Sequence, residues 1–227
     1  MLQKSLTLLK IYFVLVMAMP FSAFAEKHFT LVIDAGHGGR DVGAMGRKAK
    51  EKTINLNVAL AFGKLVETKC PEVKVIYTRK TDKFVALSER AAIANRNNAD
   101  LFISIHTNAV ARGKKVYGTE TFTLGMARAD ENLEVAKREN SVITYEDNYK
   151  QTYAGFDPNS PESYIIFEFM QDRYMEQSVE LARCIQTQYT SHAKRQNKGV
   201  KQAGFLVLRE TSMPSVLTEL GFISTPA

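Results

Sequence analysis

Apolar and polar positions along this chain alternate between two rhythms. Residues 28–34 hold a near-continuous apolar run (Phe29, Leu31, Val32 and Ile33), the pattern of a strand buried on both faces. Residues 52–69 then place Ile54, Leu56, Val58, Leu60, Phe62, Leu65 and Val66 in an imperfect helical stripe. The alternation continues with a strand over 73–78 and a helix over 87–97, where Ser88 is a candidate cap and Asn97 with Asn98 a stop. Strands follow over 101–106 and 118–124, and two short apolar runs, 204–208 and 215–219, read as the last two strands. This alternation predicts an α/β fold: one domain, with a mostly parallel twisted sheet of about six strands covered by helices on both faces.

Between residues 125 and 171 the rhythm breaks. A polar helix is predicted over 129–140, and residues 144–163 are rich in Asp, Asn, Tyr, Gly and Pro. A connection this long is either functional or disordered. Helical periodicity resumes over 169–194. Neither internal repeats nor a linker that would split the chain are present.

The first 25 residues change the picture of where the chain works. Lys4 and Lys10 precede an apolar stretch from Ile11 to Met19, and Ser22 to Ala25 place small residues where a signal peptidase reads. The stretch is shorter than the ~20 apolar residues of a membrane span. A cleaved secretory signal over 1–25 is therefore expected, with a domain over 26–227 and an exported, periplasmic or envelope-associated product. Cleavage would take the formal charge from +6 to +4, a mild excess suited to an anionic envelope. Without a basic stripe or an RNA-binding aromatic signature, nucleic acid is not an expected partner. Cys70 and Cys184 are the two cysteines; in an exported protein they are candidates for a disulfide, and equally for two free thiols.

Chemistry concentrates where strands end. His37 follows the first strand, flanked by Gly36, Gly38 and Gly39; His106 closes the third; Glu219 ends the last; Glu51 opens the first helix. Ligands of open α/β sheets gather at the carboxyl ends of the strands, so these distant positions can converge. Two imidazoles and one carboxylate with a position left open match a hydrolytic zinc site. Taken singly, each has a plainer reading: a turn histidine, a first-turn glutamate facing the helix dipole, a satisfied core histidine. Glu219 is harder to dismiss, because a buried carboxylate is costly without a partner. Neither His28 nor His192 is assigned chemistry, and Arg79 and Arg209 suit a scaffold role as well as substrate contact.

The order of motifs adds a resemblance. Asp34 to Gly39 with Asp41, Gly43 and Ala44, then Glu51-Lys52, then Ser104 to Ala109, and finally Leu217 to Ser224 resemble the zinc-dependent N-acetylmuramoyl-L-alanine amidases. The branch that cleaves septal peptidoglycan is the most similar, and the motifs run in family order from Leu31 to Ser224. The resemblance implies that His37, Glu51 and His106 bind one zinc ion and that Glu219 is the catalytic carboxylate. It implies hydrolysis of the amide between N-acetylmuramic acid and L-alanine, in wall remodelling and daughter-cell separation.

In several members of that family a helix in the 125–171 position blocks the zinc, an acidic residue from it completes the coordination shell, and a LytM-domain partner pulls it away. By that resemblance Glu146 and Asp147 are the candidate inhibitory metal contacts, with Tyr145, Tyr149 and Tyr153 docking the segment. The family usually continues past the Phe222 to Ser224 segment into a closing helix, so the resemblance also implies a shortened C-terminus. Alternatives that keep the residues but change the role are a zinc peptidase or deacetylase acting on another envelope polymer, and a non-catalytic envelope-binding protein of the same fold.

Overall fold

The computed structural model describes residues 28–111, 114–127, 129–169 and 173–225. The expected signal segment, 1–25, and the last two residues lie outside that range. Six strands form one sheet: β1 (Phe29–Ala35), β2 (Val73–Tyr77), β3 (Leu101–Asn108), β4 (Thr119–Leu124), β5 (Asn197–Ala203) and β6 (Ser215–Phe222). Their order across the sheet is β2-β1-β3-β6-β4-β5. From β2 to β6 all neighbours are parallel; β4 runs antiparallel to β6 and carries β5 parallel beside it. The mostly parallel sheet expected from the sequence is the one observed.

The long helices are α1 (Glu51–Lys69), α2 (Leu87–Arg96), α3 (Asp130–Asn140) and α6 (Met175–Ser191). Single turns α4 (Tyr149–Thr152), α5 (Ile166–Phe169) and α7 (Leu206–Arg209) complete the set, with 3-10 turns at Ser141–Tyr145 and Pro161–Tyr164. Because side chains alternate across a strand, β1 sends Leu31, Ile33 and Ala35 to one face and Val32 to the other. The first face packs with Ile103, Ile105 and Val216 against Ala59 of α1 and Ala182 of α6. The second packs Phe102, Phe122, Leu124 and Leu217 under α2, α3 and the 141–167 segment. β1 leads away to β2 on one side, while the neighbouring β3 leads away to the other. The crevice between their carboxyl ends is thus the switch point where such sheets bind ligands.

Two expectations are corrected. Residues 204–208 are not a strand: Leu206, Val207 and Leu208 are all buried, in the helical turn α7 that plugs the second face. A run of four apolar residues, Phe205 to Leu208, carries no period that separates strand from helix. The missing strand is β5, unreadable because Asn197, Lys198, Lys201 and Gln202 give an edge strand a polar sequence. The 144–163 stretch, read as loop, is largely ordered into short turns over buried Tyr153 and Tyr164, with Phe156 edge-on to both Tyr164 and Phe167. Cys70 and Cys184 are both free thiols.

Candidate metal centre

His37 leaves β1 in the left-handed region, at φ 62°, which turns its ring back over the strand ends. Asp41, four residues on, takes its Nδ1 at 2.7 Å and fixes the ring so that Nε2 points inward. Glu51, the first residue of α1, is held from three sides. Its Oε2 accepts the Ala44 N–H at 2.8 Å, and its Oε1 accepts the Thr107 N–H at 2.9 Å and the Asn55 amide at 3.2 Å. His106 sits near the end of β3 with Nδ1 3.2 Å from Glu51 Oε1. Its ring lies where a Cβ on Gly36 would be, 2.3 Å from Nε2, so only glycine fits at position 36. Gly43 is constrained in the same way: at φ 64°, a Cβ there would meet the His37 ring at 2.6 Å and Glu51 Oε2 at 2.7 Å.

A fourth group closes the cluster. Glu139, one residue before the end of α3, places Oε2 3.1 Å from His37 Nε2 and 3.2 Å from His106 Nδ1. His37, Glu51, His106 and Glu139 are all buried, each offering one ligand atom, and these atoms lie within 4.8 Å of one another. Glu219, fully buried, is the cross-strand neighbour of His106 on β6, and neither of its oxygens has a hydrogen-bond partner among the described residues.

The charges of this cluster shape one another. Burial lowers the affinity of His37 and His106 for a proton, but the carboxylates outweigh it. Glu51 raises His37 well above its ordinary value, and Glu139 takes His106 up to about 9. Glu219 is pushed well above the carboxylate range by burial and by the charges of Glu139 and Glu51. Two carboxylates facing the same two imidazoles, with His37 Nε2 and Glu139 Oε2 making no aligned hydrogen bond, is an arrangement that a cation resolves. The donor set of two nitrogens and two oxygens is one that zinc takes tetrahedrally. Ligand atoms about 2.1 Å from such an ion are roughly 3.4 Å apart, and the observed imidazole–carboxylate separations are 3.1–3.2 Å. The Asp41–His37 bond is the outer-shell contact that orients a ligating imidazole. The residues present therefore fit the ion.

A family model described as Amidase_3, N-acetylmuramoyl-L-alanine amidase, matches residues 31–227. The chain belongs to this family. The N-acetylmuramoyl-L-alanine amidase AmiC of Escherichia coli is 31% identical over 90% of this chain; the match spans about half of that longer protein, 48% of its length. The crystal structure of an N-acetylmuramoyl-L-alanine amidase from Clostridium difficile 630 superposes with a TM-score of 0.63 at 28% identity, covering 87% of this chain and 82% of that one. The CwlD amidase from Clostridioides difficile, in complex with the GerS lipoprotein, gives a TM-score of 0.59 at 27% identity, over 87% and 84%.

Within this amidase domain the structure brings His37, Glu51, His106 and Glu219 together, as their places in the sequence implied. Glu146 and Asp147 are not brought there, which corrects the expected inhibitory contact. Glu146 instead accepts the Leu87 N–H at 2.8 Å, at the start of α2, and pairs with the Tyr153 hydroxyl; Asp147 is exposed. The acidic group of the insert that does reach the two histidines is Glu139, which sequence reasoning missed. A signal was there: Asn132, Val135, Ala136, Glu139 and Asn140 recur at helical spacing and form the buried face of α3. The apolar pair Val135 and Ala136 marks that face, and Glu139 lies one turn on. Arg79 is a scaffold, donating to the carbonyls of Ala35, Gly36 and Lys52 at 2.8–2.9 Å, and Arg209 pairs with the adjacent Glu210. No helix among the described residues is long and apolar enough to cross a membrane.

Proposed function

We propose that this protein is a zinc-dependent N-acetylmuramoyl-L-alanine amidase, exported to the cell envelope, where it cuts the first amide of the peptidoglycan stem peptide. The observation that carries the reading is the convergence of His37, Glu51 and His106 at one switch point beside an unpartnered, buried Glu219. Three protein ligands with a fourth position for exchange is the composition of a catalytic zinc site. Bound there, the ion would supply Lewis acidity, making water acidic near neutral pH and polarising the amide carbonyl.

The chain's own residues do the rest. Asp41 holds the His37 ring in place, and the Thr107 and Ala44 N–H groups hold Glu51 as a carboxylate. Glu219 moves the proton: its carboxylate takes one from the attacking water and returns it to the amide nitrogen, so that the amine of L-alanine leaves neutral. Burial and the charges of Glu139 and Glu51 favour the protonated, idle form of Glu219 in the closed arrangement. Withdrawing Glu139 removes one of those charges and favours the working base. A serine or cysteine nucleophile is not required.

In this reading α3 is an inhibitory helix and Glu139 its plug. Arg138, next to the plug, ties the helix to β3 through Asn108 Oδ1 at 3.0 Å and the Ala109 carbonyl at 3.1 Å. Asn140 ties it to the Gly204 carbonyl and the Leu206 N–H. The structural relative solved with a lipoprotein supports control by a partner, and a LytM-type domain is the partner that the resemblance implies. The test is zinc content together with digestion of purified peptidoglycan. Bound zinc, new alanine N-termini on released peptides and intact glycan are expected. Glu219→Gln should keep its zinc and lose about 10²–10⁴-fold in rate, the usual contribution of a positioned acid-base group. Cleavage at any other bond, or a fully active Glu219→Gln, would overturn the reading.

A further inference from the structure

Beside the cluster lies a cavity of about 510 Å³ that the chemistry described above leaves unused. One wall is α3, with Glu131, Glu134, Val135 and Arg138; the other is the sheet and its loops. Arg138, next to Glu139, and Asn108, two residues after His106, line the cavity and set it beside the metal centre. On the sheet side it holds three lysines, Lys114, Lys198 and Lys201, against one carboxylate, Glu120. Neither Lys114 nor Lys198 forms an ion pair among the described residues. Lys201 is aimed by the buried Glu120, 3.3 Å away, and by the Phe122 ring beneath its ammonium. Its remaining contact is Glu131 of α3, at 3.4 Å, a carboxylate whose side chain is 77% exposed.

Helix α3 therefore presents two carboxylates to the sheet at once: Glu139 at the metal centre and Glu131 at Lys201. Eight residues apart on a helix, their backbones are about 12 Å apart at 1.5 Å per residue. An extended peptide covers 3.3–3.6 Å per residue, so roughly three residues span the same reach. We infer that Lys201, with Lys198 and Lys114 beside it, is a carboxylate-binding subsite for the peptide arm of the substrate, and that α3 closes the site as a mimic of that arm. In the mimicry, Glu139 occupies the place of the scissile carbonyl and Glu131 that of a carboxylate on the second or third residue beyond it. Lifting α3 removes Glu131 and Glu134 and leaves the cavity with two excess positive charges. The inference rests on the amidase reading and on α3 being displaceable.

The test uses two soluble muramoyl-peptides that begin with L-alanine and differ only in a carboxylate or a carboxamide on the third residue. KM is measured for both with the full-length zinc-loaded protein. Any change in how often α3 opens scales both substrates equally, so the ratio of the two KM values reports the subsite alone. The acid should bind about 2–5-fold better than the amide, the scale of a partly exposed ion pair. Lys201→Met combined with Glu120→Gln, which keeps the buried pair neutral, should bring the ratio to one. Lys201→Arg should keep the preference, and Lys198→Ala should weaken it. A wild-type ratio of one, or a preference that survives Lys201→Met/Glu120→Gln, overturns the subsite. If neither substrate is cleaved, the pair is run on Glu139→Ala, which lacks the plug; no cleavage there either means that the amidase reading fails. Calorimetric titration of the same two compounds then decides the subsite: an acid preference lost with Lys201 supports it, and no preference overturns it.

Discussion

Replacing Glu139 by alanine removes the plug while leaving His37, Glu51, His106 and Glu219 in place. Its Oε2 makes two buried contacts to imidazoles, at 3.1 and 3.2 Å, and its Oε1 accepts from Arg138 Nε at 2.9 Å. Burial opposes the ionised form, but Arg138 and His106 outweigh it and hold Glu139 well below the usual carboxylate range. It therefore stays charged at neutral pH. A buried contact between charged groups contributes about 1.5–3 kcal/mol. The like charge of Glu51 offsets part of the two contacts, so truncation should cost a net ~2–3 kcal/mol. That is a shift of about 30–150-fold in the ratio of closed to open helix. The same factor is the ceiling on the rate gain, reached when the wild type is almost wholly closed. Peptidoglycan hydrolysis at saturating zinc, followed by release of alanine-terminated peptides, should therefore rise, by up to about 30–150-fold. Saturating zinc is needed because the variant also loses one of the four groups around the ion. Glu134→Ala, on the exposed side of the same helix, is the control and should change nothing. A folded, zinc-loaded Glu139→Ala protein with the wild-type rate would refute the gate, and one with no activity would make Glu139 part of the catalytic machinery.

Two further outcomes follow from the frame that carries the centre. Arg90 lies buried 2.7 Å from Asp34, so Arg90→Met strands a carboxylate in the core and should cost about 3–5 kcal/mol in urea unfolding; a loss below 1 kcal/mol would contradict the burial argument. Burial raises the Asp34 pKa, but the charge of Arg90 and the bonds from Ser104 and Thr78 outweigh it, leaving Asp34 lowered. Its contribution is fully present above the unfolded value near 3.9 and fades as pH falls toward the folded one. The stability gap between wild type and Asp34→Asn should accordingly hold from pH 7 to about 4 and narrow below it; a gap that widens with acid would show the sign to be wrong. Gly36→Ala puts a methyl group 2.3 Å from His106 Nε2 and must displace that ring. Zinc affinity, measured by competition with a chelator, should fall about 10–100-fold, as when groups that orient ligands are lost; unchanged affinity would mean that the ring has room.

The sequence by itself determined the central strands and the chemistry fastened to their ends. Strands β1, β3 and β6 are buried on both faces, so their composition alone marks them, and His37, His106 and Glu219 inherit their positions from those strands. Glu51, taken singly, read as a first-turn glutamate and became a candidate ligand only through the order of motifs and the resemblance that it carries. Edge strand β5 and turn α7 were exchanged in the reading, because a solvated edge tolerates polar residues and a short apolar plug has no period. The fourth member of the cluster was decided by tertiary structure. Glu139 and Glu146 are both glutamates in the same insert, and each ends up buried against a partner. What separates them is where α3 lands on the sheet, set by Val135 and Ala136 packing into the second core and by Arg138 and Asn140 bonding to backbone carbonyls on either side. The pairing of Lys201 with Glu131 arises from the same docking. Interactions of this kind depend on the angle at which one element meets another, and a pattern of single residues along the chain does not carry that angle.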